Sequence, residues 1–210
     1  MAGERVPGWL AWAREIEALA HTGQHFAQNE YDRERAERLL EIAADIVASH
    51  TSLPAADARV AFAAQPGYVT PKVDVRGAVL RDGRLLLVQE AADAGWTLPG
   101  GWADVGETPR QAVEREVREE AGVQVRATRL VGVYDANRVA GALPLFHAYK
   151  LVFLCEPISG DPTPSSETTQ AGFFDLDHLP QPYSDHRTVP RHVADVIAAA
   201  QDPSRATVFD

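Results

Sequence analysis

The sequence predicts an α/β or α+β sandwich behind a small all-helical segment. Three observations carry this. Apolar residues recur at helical spacing through the first sixty-odd positions. From Lys72 the pattern changes to short apolar runs broken by turn residues, as strands require. Helical spacing then returns twice, so helices are interleaved with strands around one core.

The first predicted helix carries Trp9, Trp12, Ile16 and Leu19 on one stripe with Arg14, Glu15 and Glu17 between them, and Gly23 is expected to end it. A second starts at Asn29 as cap and runs through Ala36, Leu39, Ile42, Ala43, Ile46 and Val47; a shorter third follows Pro54. Strands are expected at 73–80 and 85–88, joined by Asp82-Gly83, the dipeptide suited to the positive φ angles of a tight hairpin. Further strands are read at 123–134, 146–155 and 171–174, with helices at 108–121 and 189–200. The proline- and serine-rich stretch 157–170 reads as a mobile loop.

A chain of 210 residues has enough core to need no disulfide staples, and its single cysteine, Cys155, sits in an apolar run where a buried, inert thiol is expected. A reducing, cytoplasmic setting fits. The start shows no basic patch followed by an apolar stretch, and no window has the roughly 18 apolar residues of a membrane span. Lys plus Arg is 20 against Asp plus Glu 30, a formal charge of -10, which disfavours DNA and other long nucleic acids. The helical segment, with 6 basic and 10 acidic residues up to position 67, is disfavoured as a DNA reader by the same argument.

The chemistry lies in the stretch from Leu98 through Gly100, Gly101 and Glu107 into the helix at 108–121. Thr108 as cap, Pro109 at the first helical position and Gln111 three residues on form a capping box, and Gly122 closes the helix. At 100° per residue Glu116, Glu119 and Glu120 converge within one arc, while Val113, Val117 and Ala121 face a core. Such like charges repel unless a cation lies between them, and carboxylates without histidine or thiol suit a hard ion such as Mg²⁺ better than zinc. A merely solvated glutamate face would not need the glycine-rich entry loop, the extra carboxylate of Glu107 or the strict caps.

Gly101, five residues, Glu107, seven residues, then Arg115-Glu116-Val117-Arg118-Glu119-Glu120-Ala121-Gly122-Val123 resembles the Nudix hydrolase signature at every specified position. The resemblance implies an α/β/α sandwich with a mixed sheet over residues 68–210. Residues 1–67 resemble the helical N-terminal domain of a bacterial subgroup that includes CDP-choline pyrophosphatases. It also implies hydrolysis of a nucleoside diphosphate linked to another group X with Mg²⁺, or Mn²⁺ as substitute. Glu116, Glu119, Glu120 and the Gly100 carbonyl are then the expected metal ligands, with Glu107 supporting the loop and Arg115 orienting a glutamate.

The general base is expected to be Glu167 or Glu119. Relatives often carry a second acid three residues beyond the former, where this chain has Gln170. Trp102, Tyr134, Asn137 and Arg187 are candidates for substrate contact, and Trp9 and Trp12 for a core or homodimer interface. A CDP-alcohol is favoured over ADP-ribose through the N-terminal resemblance. RNA 5′ pyrophosphate removal and a non-catalytic nucleotide sensor are the other readings.

Overall fold

The computed structural model describes residues 7–64, 69–136, 145–184 and 187–210. They fall into two compact units, one up to Pro71 with Leu145–His147, the other from Lys72 onward with Ala148–Asp210.

The first unit holds α1 (Gly8–Phe26), α2 (Glu30–His50) and α3 (Ala55–Ala63). The Asn29 side chain caps α2 by accepting from the Asp32 N–H at 2.9 Å. Gly23 does not end α1: a Cβ there would lie 3.6 Å from that of Ala36, so it is a site of close approach to α2. Small residues on the facing sides (Ala13, Ala20, Ala36, Ala43) draw the helices together and are all buried. The expected apolar stripe therefore divides. Trp9 and Ile16 pack against the alanine-rich core, Trp9 stacked on His50 with ring centroids 4.8 Å apart, whereas Trp12 and Leu19 are 63% and 61% exposed.

The second unit is a mixed seven-stranded sheet of β1 (Lys72–Arg81), β2 (Arg84–Glu90), β3 (Trp96–Thr97), β4 (Gln124–Asp135), β5 (Ala148–Ser159), β6 (Thr168–Asp175) and β7 (Val208–Phe209). The order is β3-β2-β1-β5-β4-β7, with β6 paired to β2. Helix α4 (Pro109–Ala121) covers one face through Val113 and Val117 against Val75 and Val79; α5 (Pro190–Gln201) covers the other through Val193 and Val196 against Ala78 and Val152. This is the α/β/α sandwich. Cys155 is buried in it, and burial pushes its thiol up to about 12.

The Asp82-Gly83 turn has the expected positive φ angles, 52° and 76°, but β1 pairs with β2 only at Leu80↔Leu85 and Arg81↔Arg84. The rest of β1 is left for the glycine loop, and that divergence positions the site. Strands β3 and β7, two residues each, are too short to show alternation in sequence. The expected loop 157–170 shrinks, because Pro157 continues β5 opposite Val125, next to a register shift where a missing N–H is tolerated. Ser165 and Thr168 then bind one another, and the Thr168 hydroxyl donates to the carbonyl of Glu120 at 2.9 Å. No helix among the described residues is long and apolar enough to cross a membrane.

Candidate active site

The loop before α4 is laid on the free edge of β1. Val75 N–H donates to Gly101 O and Gly77 N–H to Pro99 O, both at 2.8 Å, and Ala103 N–H to Val73 O at 3.0 Å. Between these bonded carbonyls, the buried Gly100 carbonyl accepts no hydrogen bond from any described residue. Only glycine fits there: φ is 148° and a Cβ would stand 2.0 Å from Val75 O. Helix α4 starts on the expected capping box, the Thr108 hydroxyl accepting from Gln111 N–H and Gln111 answering at Thr108 N–H. Gly122 ends it with φ 69°.

From α4 three glutamates reach one cavity of about 460 Å³, lined by Asp74, Arg76, Glu90, Gly100, Gly101, Trp102, Glu116, Glu119, Glu120, Lys150, Glu167 and Arg187 among others. Arg115 organises its rim. Its guanidinium holds Glu107 in a two-pronged pair at 2.7 and 2.9 Å, donates to Glu116 at 2.7 Å and Glu119 at 3.2 Å, and reaches the Trp102 carbonyl. Those hydrogen bonds draw the Glu107 carboxyl down to about 2 and raise Arg115 above its ordinary value. Deeper in, burial pushes Glu120 up to about 7, against the pull of Arg76 and of the Gly100 N–H. Burial also raises Glu116 and Glu90.

Of the residues singled out from sequence, Gly100, Trp102, Glu107, Arg115, Glu116, Glu119, Glu120, Glu167 and Arg187 all stand in or around this cavity. Arg187 already meets Glu90 at 3.1 Å and Asp93 at 3.6 Å. Tyr134 is a correction. It is 1% exposed on the α5 side of the sheet, its ring beside His192 and its hydroxyl donating to Asp195, and it is not among the residues that line the cavity, so the structure places it in the core and not at the site. Asn137 lies outside the described residues.

Asp74, Arg76, Glu90 and Lys150 are among the cavity residues that were not singled out from sequence. Asp74 and Arg76 alternate along β1, Lys150 stands across from Asp74 on β5, and Glu90 ends β2. Arg76 forks onto Asp74 with two bonds of 2.9 Å, and Lys150 donates to the same carboxylate at 3.0 Å. The pair of cations holds Asp74 down to about 2 despite full burial. The legible signal was Lys150 itself, a charge in phase with the apolar, inward-facing residues of β5.

No three carboxylate, histidine or thiol groups among the described residues are already gathered as a cation cage. The donors nevertheless fit a hard dication: Glu116 and Glu120 are carboxylates that burial disfavours as bare anions, and the Gly100 carbonyl of the same cavity has no partner among the described residues. Clustered carboxylates, an open backbone oxygen and arginines in one cleft suit the hydrolysis of phosphoanhydrides.

The chain belongs to the Nudix hydrolases and is a pyrophosphohydrolase. The NUDIX domain model matches residues 71–195, and residues 7–62 match a UDP-X-like, N-terminal oligomerisation domain. YjhB of Bacillus subtilis (strain 168), provisionally described as an ADP-ribose pyrophosphatase, is 35% identical over 96% of this chain and 97% of its own. The crystal structure of an ADP-ribose pyrophosphatase from Streptococcus suis is 38% identical, covering 67% of this chain and all of that one, with a TM-score of 0.60. A UDP-X diphosphatase structure covers 99% of this chain and all of its own at 28% identity and a TM-score of 0.62.

Proposed function

We propose that the protein hydrolyses the diphosphate bond of a small nucleoside diphosphate linked to another moiety, with Mg²⁺ as its ion and Mn²⁺ as a substitute. The observation that carries this is the buried Gly100 carbonyl, which accepts from no described residue, in the same cavity as Glu116 and Glu120. These residues and Glu119 would hold the ion, whose charge would offset that of the phosphate oxygens and favour deprotonation of the attacking water. Arg115 keeps Glu116 and the Glu107 loop in register. Glu167 takes the proton from the attacking water. Its carboxylate accepts no hydrogen bond from a described residue, whereas that of Glu119 meets both Arg115 and Arg118. Trp102, half exposed at the rim, offers a face for an aromatic base.

The resemblance of the N-terminal region favours a CDP-alcohol, and the names of the similar proteins favour ADP-ribose and UDP-X compounds. The helical unit makes a homodimer, supported by the oligomerisation-domain match and by Trp12, Leu19 and Phe26, three exposed apolar residues at seven-residue steps of α1. Lone Cys155 and the net charge of -10 suit a cytoplasmic enzyme of small substrates rather than of DNA. The test is a panel of nucleoside diphosphate compounds with Mg²⁺ or Mn²⁺, reading phosphate freed by a coupled phosphatase. Release from none of them, by a folded protein, would overturn the reading.

A further inference from the structure

Lys150 is 1% exposed, yet it lines the cavity. On β5 it is in phase with Ala148 and Val152, the latter in the core under α5, while Leu151 and Phe153 pack on the α4 side. Its ammonium has three donors, and Asp74 Oδ1 is the only acceptor it meets among the described residues. Asp74 Oδ1 accepts from both Arg76 and Lys150 and Oδ2 accepts from Arg76, so two cations share this one carboxylate. The Asp74, Arg76 and Lys150 group carries a net charge of +1 and turns donors toward the cavity. A buried ammonium with unfilled donors is costly unless a ligand or water oxygen completes it. Trp102 lies beside this group, its main chain bridged to that of Asp74. Arg76, paired with Asp74, also lies in the field of Glu120.

We propose that Lys150 is a specificity-determining residue that donates to a carbonyl oxygen of the substrate's base, with the base ring on Trp102. That oxygen is the one uracil carries at C4. The pocket then selects uracil over cytosine, which keeps its C2 carbonyl but presents an amino group at C4, and over adenine, whose exocyclic amino group likewise sets donor against donor. This rests on the nucleoside diphosphate reading above and names the base that reading leaves open. A site built around one hydrogen bond rejects the analogue that leaves it unpaired far more strongly than a shape mismatch does. A preference of at least tenfold is therefore expected.

UDP-glucose, CDP-glucose and ADP-glucose share one X group and differ in the base. The native protein should cleave the first with a kcat/KM at least about tenfold above the other two. Lys150→Met should bring the three within about threefold by lowering the uridine substrate alone. Lys150→Gln, whose amide both donates and accepts, should likewise relax the preference, and it serves if the methionine variant does not fold. Calorimetry with UMP, CMP and AMP reads the same order without turnover. An equal loss on all three substrates would place Lys150 on a phosphate or in the scaffold and overturn the proposal, as would a native preference for CDP- or ADP-glucose. Cleavage without base preference sinks this inference and spares the hydrolase reading; selective UMP binding lost in Lys150→Met, with no cleavage, does the reverse.

Discussion

The backbone N–H of Gly100 donates to Oε2 of Glu120 at 2.8 Å, joining the glycine loop to the last turn of α4. That bond favours the carboxylate, but burial outweighs it and the proton is held up to about 7. A folded-state value above the ordinary 4.5 means that this group's stability contribution is full below about pH 4.5 and lost as pH rises through 7.

The first prediction isolates that loss. Without metal, Glu120→Gln should match the native protein in thermal midpoint near pH 5 and exceed it at pH 8, where the shift is worth on the order of 3 kcal/mol at full effect. The comparison of the two proteins is needed because His192, pushed down to about 3 by burial, gains stability over part of the same range. Added Mg²⁺ should raise the native midpoint at pH 8 and leave the variant nearly unmoved. A difference that does not change with pH would show that Glu120 is not a strained carboxylate. Turnover should fall by at least 10²-fold in the variant at saturating Mg²⁺.

Glu167 and Glu119 separate by their partners. If Glu167 takes the proton, Glu167→Gln should lower kcat by roughly 10²- to 10⁴-fold while Mg²⁺ affinity by calorimetry stays within about threefold. Glu119→Gln should instead weaken Mg²⁺ binding. A silent Glu167→Gln beside a large kcat loss in Glu119→Gln would move the base to α4.

Arg115→Lys keeps the charge but loses the fork that grips Glu107 and touches Glu116 together. Metal affinity or turnover should drop by about 10- to 100-fold. The midpoint should fall only slightly, since α4 is held by Val113 and Val117 in the core. Native turnover in Arg115→Lys would show that charge alone suffices.

What could be read from sequence was whatever a single element carries. The Thr108 to Gln111 cap, the Glu116, Glu119 and Glu120 arc and the Asp82-Gly83 turn each depend on neighbours a few residues away, and each is where the spacing put it. The Asp74, Arg76 and Lys150 group needs β1 beside β5, a parallel pairing across 76 residues that periodicity does not specify. Tyr134 failed for a related reason: alternation shows that β4 has two faces, but not which lies under α5. On α1 the apolar arc was visible, yet only the alanines that bring α2 close decide that Trp9 is inside and Trp12 outside.

The outer arc gives its own prediction. Trp12, Leu19 and Phe26 are each more than 60% exposed along one side of α1, so Trp12→Glu puts a charge into the proposed dimer contact without touching the helical core. Light scattering should show the native protein at twice the chain mass and the variant at one chain, with unchanged helical circular dichroism. A variant that keeps the native mass would move the contact elsewhere.

Gly100 and Gly101 are adjacent, and alanine should affect them differently. At Gly100 the new Cβ would meet Val75 O at 2.0 Å and Arg76 Cα at 2.9 Å, both backbone of a central strand, with φ already in the glycine region. Neither side can yield, so Gly100→Ala should lower the thermal midpoint by several degrees and detach the loop. At Gly101 the new Cβ meets only the Glu116 carboxylate, at 2.9–3.0 Å, the far end of a flexible side chain. Glu116 can swing aside, which keeps the fold but moves a proposed metal ligand off its place. Gly101→Ala should therefore hold its midpoint within about 2 °C while losing at least tenfold in Mg²⁺ affinity. If both variants lose stability alike, the loop rather than Glu116 is what Gly101 protects; if neither loses metal affinity, Glu116 does not hold the ion.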